Sequence, residues 1–349
     1  MIIDILQAEH GDAIFISYEE DGVNRNILID GGPSKAYTFG TRPKRHGALK
    51  KKLDSLKEQE ERIDLLILTH VDDDHIGGIL KWFESSEFDA DMISKVWFNA
   101  GALINEHFQQ NFENDNSKKL KKFDSPDTSI GQGVTFEQMI FQNNLWDRKI
   151  IKMGDKQEEF GAKIIILSPS EDELKKLLIK WEIEAPDTLT SGRENDYDKT
   201  LEELLESDGF VEDKSIHNGS SIAFMLELQN KKILLLGDAF PSVVLQGIID
   251  QGYSKDNPLQ VDLVKLSHHG SKGNTTNELL EIIDCEKYVI STSGDRHALP
   301  NKRTLTRIIN KKQNCKLYFN YPELIQKIFR EEELQNYSFN TYSTEDLTI

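Results

Sequence analysis

The sequence has few cysteines, no long apolar segment and a deficit of positive charge. Only Cys285 and Cys315 occur among 349 residues, and without CxxC spacing neither a disulfide framework nor a cysteine zinc site is expected. No apolar run approaches the roughly 18 residues that a membrane-spanning helix needs. The opening MIIDILQAEHGD lacks the basic segment and apolar core of a secretory signal. We therefore expect a cytoplasmic protein that does not bind membranes.

The acidic balance bears on nucleic-acid binding. A formal net charge of −18 argues against broad affinity for nucleic acid, which requires a basic surface that displaces counterions. Residues 42–45 with 50–52, and residues 118–122, are two local basic exceptions. Such segments usually lie on solvated faces. The alternative is that they bind the phosphates of a strand that runs beside an active site.

Strand-like and helix-like segments alternate along the chain, which predicts an α/β fold. Gln229 and Asn230 separate two strand-like runs and predict a hairpin. No Pro- or Gly-rich linker divides the chain, so we expect one domain over residues 1–349, with insertions near 102–160 and 171–214. Apolar or alternating runs predict strands near 1–6, 13–18, 26–30, 65–68, 95–101, 163–170, 220–228, 231–236, 261–266 and 287–291, and helices near 48–62, 79–83 and 136–145.

Several apolar strands end in compact groups of His, Asp, Ser or Gly. LLILTHVDDDH, KILLLGDAF and LVKLSHHGSKGNT show this pattern, and YVISTSGDRHALP shows it more loosely. Loops at strand ends of α/β folds converge on one crevice, so these groups indicate one site. Asp72, Asp73 and Asp74 share a loop and repel one another unless a cation or an arginine compensates them. The loop either caps a helix or holds metal.

These motifs resemble those of the metallo-β-lactamase superfamily. His70-x-Asp72-x-Asp74-His75 looks like its HxHxDH signature, with aspartate in place of the second histidine. Gly237-Asp238 resembles its bridging-aspartate motif, and HHGS at residues 268–271 resembles its last histidine motif. The subgroup typified by the C-terminal hydrolase domain of the competence channel protein ComEC is the most similar. Its Asn-x-x-Ser segment and its late His near a Pro correspond to Asn218 with Ser221 and to His297 with Pro300.

The resemblance implies a four-layered αββα sandwich with the site between two sheets. It implies two divalent ions, Zn²⁺ or Mn²⁺, a choice that fits imidazole and carboxylate ligands. Asp238 would bridge the ions, and Asp74 would also orient the hydroxide that attacks the substrate. One of His268 and His269 should bind metal while the other faces substrate or packs beneath the loop. The implied ligand set is His70, Asp72, Asp74, His75, Asp238 and the histidine pair His268 and His269.

Other candidates carry weaker signals. His297 either lies on the surface or contacts phosphate and protonates the leaving oxygen, and His217 is either a metal ligand or a hydrogen-bonding loop residue. Asp12 and Asp30 are expected to support the site through hydrogen bonds. The candidates for substrate contact are Asn218, Ser221, Ser271 and Lys272, while His10, His46 and His107 belong to no motif and Asp73 is the carboxylate that the ligand set does not need.

The resulting hypothesis is a metal-dependent hydrolase, with a phosphodiesterase or nuclease acting on DNA or RNA as the leading function. One alternative is an enzyme for small phosphodiesters, such as a cyclic nucleotide or a phosphorylcholine-type ester. Another is a hydrolase subunit that binds a protein partner in a larger bacterial defence complex.

Overall fold

The computed structural model describes residues 1–109, 129–183 and 195–349. Its first sheet contains five strands in sequential order, and the third, fourth and fifth strands run parallel to one another. The basic segment 118–122 and parts of both predicted insertions, residues 110–128 and 184–194, lie outside the described residues. The strands are β1 (Ile2–Ile5), β2 (Ile14–Glu20), β3 (Val23–Ile29), β4 (Leu65–Ile67) and β5 (Val96–Trp97).

The second sheet contains eight strands, also in sequential order. Its first four strands pair with one another in antiparallel fashion, and the fourth to eighth strands run parallel to one another. The strands are β6 (Lys156–Glu159), β7 (Ala162–Ser168), β8 (Ala223–Leu228), β9 (Lys231–Leu235), β10 (Leu263–Lys265), β11 (Lys287–Ile290), β12 (Cys315–Phe319) and β13 (Phe339–Ser343). Short two-stranded pairs join Thr38–Phe39 to Arg45–His46 and Leu259–Gln260 to Ile283–Asp284.

Both sheets bury apolar side chains on both faces, which creates four layers. Along β2, Ile14 and Ile16 face the second sheet, whereas Phe15 packs against helices. Along β7, Ile164 faces the first sheet and Ile165 packs against a second group of helices. Because strand side chains alternate between faces, each sheet contacts a helical layer on one side and the other sheet on the other. This arrangement confirms the predicted αββα sandwich, while its division into one domain with two insertions stays a prediction.

The helices form the two outer layers. Segments of the predicted insertions supply part of the first layer, because Phe136 and Trp181 are buried in its core. The first layer comprises Ser34–Tyr37, Ala48–Glu58, Asp73–Phe83, Gly101–Gln109, Ser129–Gln142 and Glu171–Ile183, and the second comprises Leu201–Glu206, Pro241–Asp250, Asn277–Ile282, Lys302–Lys311, Ile325–Ile328 and Glu331–Asn336. Among the described residues, no helix combines the length and the apolar character that crossing a bilayer requires.

Two local predictions have different outcomes. The hairpin is confirmed, since β8 and β9 pair through Leu228 and Lys231, and both turn residues have positive φ, 51° at Gln229 and 60° at Asn230. The helix expected to begin at Ile79 instead begins at Asp73, ahead of the glycine pair. A Cβ on Gly78 would lie 2.1 Å from the carbonyl oxygen of Gly31. The glycine therefore lets this helix approach the loop after β3, whereas the sequence pattern had placed the start of the helix after the pair.

Candidate metal centre

Asp238 lies among four imidazoles. Its Oδ1 is 3.4 Å from Nε2 of His75 and 3.9 Å from Nε2 of His269, and its Oδ2 is 3.9 Å from Nε2 of His70 and 3.8 Å from Nε2 of His268. The aspartate follows β9, and its side chain is almost fully buried. Each oxygen of one carboxylate therefore faces a different pair of histidines, as a ligand that bridges two cations would.

Two further aspartates complete two groups of ligand atoms. Oδ2 of Asp72 lies 3.7 Å from Nε2 of His70, on the Oδ2 side of Asp238. Oδ2 of Asp74 lies 3.3 Å from Nε2 of His269, on the Oδ1 side. The first group is His70, Asp72, His268 and Asp238, and the second group is Asp74, His75, His269 and Asp238.

Unpaired buried atoms test whether these groups fit divalent cations. Nε2 of His70, His75 and His269 and Oδ1 of Asp238 are buried, and none has a hydrogen-bond partner among the described residues. Buried polar atoms are rarely left unsatisfied. Tetrahedral coordination at zinc-ligand distances separates the ligand atoms by about 3.4 Å, which is close to the spacings found here. The donor set therefore fits a pair of divalent cations.

Hydrogen bonds on the far side of each ring direct Nε2 towards the centre. His75 donates from Nδ1 to Asp30 at 2.7 Å, and His269 donates from Nδ1 to the carbonyl of Ser291 at 2.8 Å. The Thr69 hydroxyl gives its proton to Asp30 at 2.7 Å, so it accepts from Nδ1 of His70 at 3.0 Å. Ring nitrogens held in this way are typical of metal-binding histidines.

The carboxylates and imidazoles shift one another's pKa values. Burial disfavours charge at His75, but Asp238, Asp30 and Asp74 raise its pKa well above the usual range. Asp12 and Asp238 likewise overcome burial and raise the pKa of His269 to about 9. The nearby imidazoles outweigh burial at Asp238 and hold its pKa well below the usual range. A cation that binds here displaces protons from these rings.

An unusual backbone turn brings both HHGS histidines to the centre. His268 and His269 have φ values of 46° and 53°, and Gly270 continues with 87°. Consecutive non-glycine residues in this region are strained, and the turn follows β10 directly. Both Nε2 atoms lie within 4 Å of a carboxylate oxygen of Asp238, and the expectation that one of the two histidines binds metal while the other faces substrate or packs beneath the loop stays a prediction.

The aspartate-rich loop does not merely cap a helix. Asp72 occupies the N-cap of Asp73–Phe83, but its side chain makes no capping hydrogen bond. Its Oδ1 instead accepts from Nδ1 of His217 at 2.6 Å. His217 is therefore a hydrogen-bonding residue beside the first group, and its role as a ligand stays a prediction. Asp73 lies in the first helical turn and accepts from the Gln132 amide at 2.9 Å.

The predicted substrate residues fall into two sets. Ser221 is fully buried, and its Oγ accepts from the backbone N–H of Asp238 at 3.0 Å. Asn218 is buried and donates to Asp213 at 2.6 Å. Ser271 is half-buried, and Lys272 is exposed. The first two residues therefore support the loops, and the last two are accessible.

His297 and His10 lie close together near Asp74. Their ring centroids are 6.4 Å apart, and His297 is exposed, with a φ of 58°. Burial lowers the pKa of His10 to about 4, partial desolvation by the surrounding loops lowers the pKa of His297, and Asp74 opposes both shifts. His10 was interpreted as ordinary because it belongs to no motif, and only the tertiary structure brings it here.

Three more residues at the centre carried little or no sequence signal. Asp213 accepts from Nδ1 of His268 at 3.1 Å, and the Asn274 amide donates to the Asp238 carbonyl at 3.1 Å. Asp12 belongs with His75, Asp238 and His269 to a set whose ligand atoms all lie within 4.8 Å of one another. Asp12 was expected to support the site through hydrogen bonds, but its closeness to the candidate ligands depends on contacts far apart in sequence.

The N-terminal part of the chain matches a known family. Residues 8–142 match the model of the metallo-beta-lactamase superfamily, and this region carries Asp12, Asp30 and the motif at residues 70–75. The mixed α/β architecture is consistent with the metallo-β-lactamase fold, and the superfamily contains metal-dependent hydrolases. Assignment to the ComEC-like subgroup stays a prediction. A comparison with curated proteins finds no match.

Solved structures show only distant similarity. The diiron β-hydroxylase CmlA from Streptomyces venezuelae is 11% identical with a TM-score of 0.42, and the match covers 97% of this chain and 52% of that chain. This chain thus spans about half the length of the hydroxylase. A protein described as a metal-dependent hydrolase from Parabacteroides distasonis is 11% identical, with a TM-score of 0.36 and coverage of 98% and 92%. Zn²⁺-bound PqqB from Methylobacterium extorquens is 13% identical, with a TM-score of 0.42 and coverage of 95% and 85%.

Proposed function

We propose that the protein is a phosphodiesterase that hydrolyses DNA or RNA with two divalent cations held around Asp238. The arrangement that carries this proposal is the bridging position of Asp238 between two groups of histidine and aspartate ligands. Two such cations lower the pKa of a bound water to near 7 and stabilise the attacking and leaving oxygens of a displacement. Zn²⁺ and Mn²⁺ both suit imidazole and carboxylate ligands.

Residues beside the centre supply groups that a phosphodiester needs. The ammonium group of the exposed Lys272 suits a non-bridging phosphate oxygen, and the preceding residue, Ser271, supplies a hydroxyl. The imidazoles of His10 and His297 lie near Asp74. An imidazole there can donate a proton to the leaving alkoxide, which is the role that we assign to His297.

Apolar side chains near Lys272 favour a substrate that contains a base. Phe210 and Val211 are 39% and 71% exposed. The Arg307 guanidinium lies 5.3 Å from the centre of the Phe210 ring and donates to the Lys272 carbonyl at 2.7 Å. An aromatic ring beside a lysine fits an unpaired nucleobase beside its phosphate. This combination supports single-stranded nucleic acid as the preferred substrate.

A small phosphodiester is the second candidate substrate. Lysines of the basic segment at residues 42–52 pair with acidic residues of the chain, and this pairing favours a small substrate over a long phosphate strand. Lys50 pairs with Asp54 and Glu87, and Lys52 pairs with Asp4 at 2.5 Å. These lysines are therefore neutralised within the chain and offer little to a long phosphate strand. The net charge of −18 points in the same direction.

Hydrolysis assays with added Mn²⁺ or Zn²⁺ test the proposal. The substrates are single-stranded DNA, RNA, plasmid DNA and bis(p-nitrophenyl) phosphate, each also incubated with a chelator. We expect metal-dependent cleavage of single-stranded nucleic acid that is lost in Asp238→Asn and retained in Asp262→Asn, a change in an aspartate that pairs with Lys231. Cleavage of the small ester alone would support the second candidate, and no cleavage by a metal-loaded protein would contradict both.

Function within a larger assembly is a separate proposal. In that case the metal-loaded protein is inactive alone and gains activity when a partner protein is added. Repeating the assay with proteins encoded beside its gene tests this alternative, and activity of the isolated chain contradicts it.

A further inference from the structure

Lys265 is a buried lysine that joins three loops of the metal centre. It ends β10, three residues before His268 of the HHGS turn, and only 1% of its surface is exposed. Its ammonium binds the Asp12 carboxylate and lies 3.5 Å from the Gly237 carbonyl, next to Asp238. A buried ammonium is costly unless it is paired. The ion pair therefore connects the first loop, the loop of Asp238 and the HHGS turn.

Asp12 lies as close to the second group as a ligand does, although Lys265 holds it. One of its oxygens is among the atoms that lie within 4.8 Å of ligand atoms of His75, Asp238 and His269. Its Oδ1 is 3.4 Å from Nδ1 of His269 and accepts no hydrogen bond from the described residues. Asp12 is thus a spare carboxylate at the edge of the centre, and its other oxygen is bound by Lys265.

We propose that Lys265 is a positioning residue that keeps Asp12 out of metal coordination and thereby sets the ligand number of the second group. The inference rests on the proposed metal centre. Without the ammonium, the Asp12 carboxylate would be buried and unpaired beside a divalent cation, and binding that cation would be its most favourable contact. Lys265 thus keeps a coordination position available for water or substrate.

Cobalt(II) provides a readout that does not depend on activity. Its visible absorbance weakens as its coordination number rises, so an added carboxylate ligand is visible in the spectrum. We expect Lys265→Met to bind as much Co²⁺ as the wild type with a loss of absorbance per bound ion. The double variant Lys265→Met with Asp12→Asn should recover the wild-type spectrum, because no charged ligand is released.

Lys302 offers a matched control. It is another fully buried lysine, and its ammonium pairs at 2.7 Å with Glu333, which belongs to neither group of candidate ligands. Lys302→Met also removes the ammonium partner of a buried carboxylate, so we expect a loss of stability without the release of a candidate ligand. Its Co²⁺ spectrum should match that of the wild type.

Asp12→Asn alone keeps the proposal testable if Lys265→Met does not fold. Because Asp12 is not a ligand in the wild type, this variant should retain the wild-type spectrum, and a changed spectrum would overturn the proposal. An unchanged spectrum in folded Lys265→Met would also overturn it. If the wild type binds no Co²⁺, the proposed metal centre is contradicted. If it binds Co²⁺ with a spectrum that does not change in Lys265→Met, only the proposed role of Lys265 is contradicted.

Discussion

Oδ2 of Asp30 lies 2.7 Å from Nδ1 of His75, while Nε2 of the same ring faces Asp238. Asp30 also accepts from the backbone N–H of Thr69 at 2.8 Å. One buried carboxylate therefore fixes the orientation of a candidate ligand and the backbone of the loop that carries the others. Asp30 therefore supports the candidate metal centre without belonging to either group of candidate ligands.

Asp30→Asn should weaken metal binding about 10- to 100-fold, because the amide holds the His75 ring less firmly. Competition with a metal-binding dye measures this change. Asp64→Asn is the control, since Asp64 is equally buried but pairs with Arg25 at 2.9 Å, remote from the centre. Equal metal affinity of Asp30→Asn and wild type would contradict the assigned role.

Gly78→Ala should destabilise the protein by roughly 1–3 kcal/mol, because the new Cβ forces the helix away from the loop after β3. The Cβ would lie 2.1 Å from the Gly31 carbonyl oxygen, whereas a Cβ on Gly209 meets nothing within 4 Å. Denaturant unfolding of both alanine variants provides the comparison. If Gly209→Ala and Gly78→Ala have the same free energy of unfolding, the close approach does not constrain the fold.

Glu137 makes the stability depend on pH. Burial raises the pKa of its carboxyl from 4.5 to about 7, against the opposing effect of Arg148. As pH rises through this window, the unfolded chain releases the proton before the folded chain does, so the free energy of unfolding falls. Glu137→Gln should remove this fall and stabilise the protein by about 1–2 kcal/mol at about pH 8, after allowance for partial exposure.

Chemical denaturation at about pH 4 and about pH 8 measures the effect of Glu137→Gln. The variant should differ from the wild type at the higher pH and match it at the lower one. Glu84→Gln, at an exposed position, is the control and should leave the pH dependence of the wild type intact. A Glu137→Gln variant with the same pH dependence as the wild type would show that this carboxyl titrates normally.

Phe210→Ala should raise KM for single-stranded nucleic acid at least about fivefold, because stacking on an aromatic ring contributes about 1–3 kcal/mol per base. KM for bis(p-nitrophenyl) phosphate should rise less. Phe141 is a matched control, since it is also exposed and has an arginine, Arg148, 5.8 Å from its ring centre. A rise in KM of the same size in Phe141→Ala would remove Phe210 from the substrate site.

Strand ends and short motifs made much of the fold and centre predictable. The run before Asp238 is apolar over several residues and then changes to Gly-Asp, which marks both a buried strand and its functional end. The two-residue turn at Gln229 and Asn230 follows from the residue types that accept positive φ. These features are local, so the sequence carries them directly.

The remaining features depend on backbone conformation and long-range contacts. His268 and His269 both reach Asp238 because two non-glycine residues adopt positive φ, which no residue preference predicts. Asp12 meets Lys265 across 253 positions of sequence, and neither residue belongs to the ligand motif. Sequence reasoning therefore named the candidate ligands and expected Asp12 and Asp30 to support the site, but it did not predict which contact orients each ligand.

Metal content per chain, measured in wild type and in Asp238→Asn, shows whether two cations bind around Asp238. After equilibrium dialysis against Zn²⁺ or Mn²⁺, we expect two ions per wild-type chain and the loss of at least one in the variant, because Asp238 faces both groups of candidate ligands. Asp262→Asn should retain both ions. A folded wild type that binds no metal, or an Asp238→Asn variant with unchanged metal content, would contradict a two-cation centre bridged by Asp238.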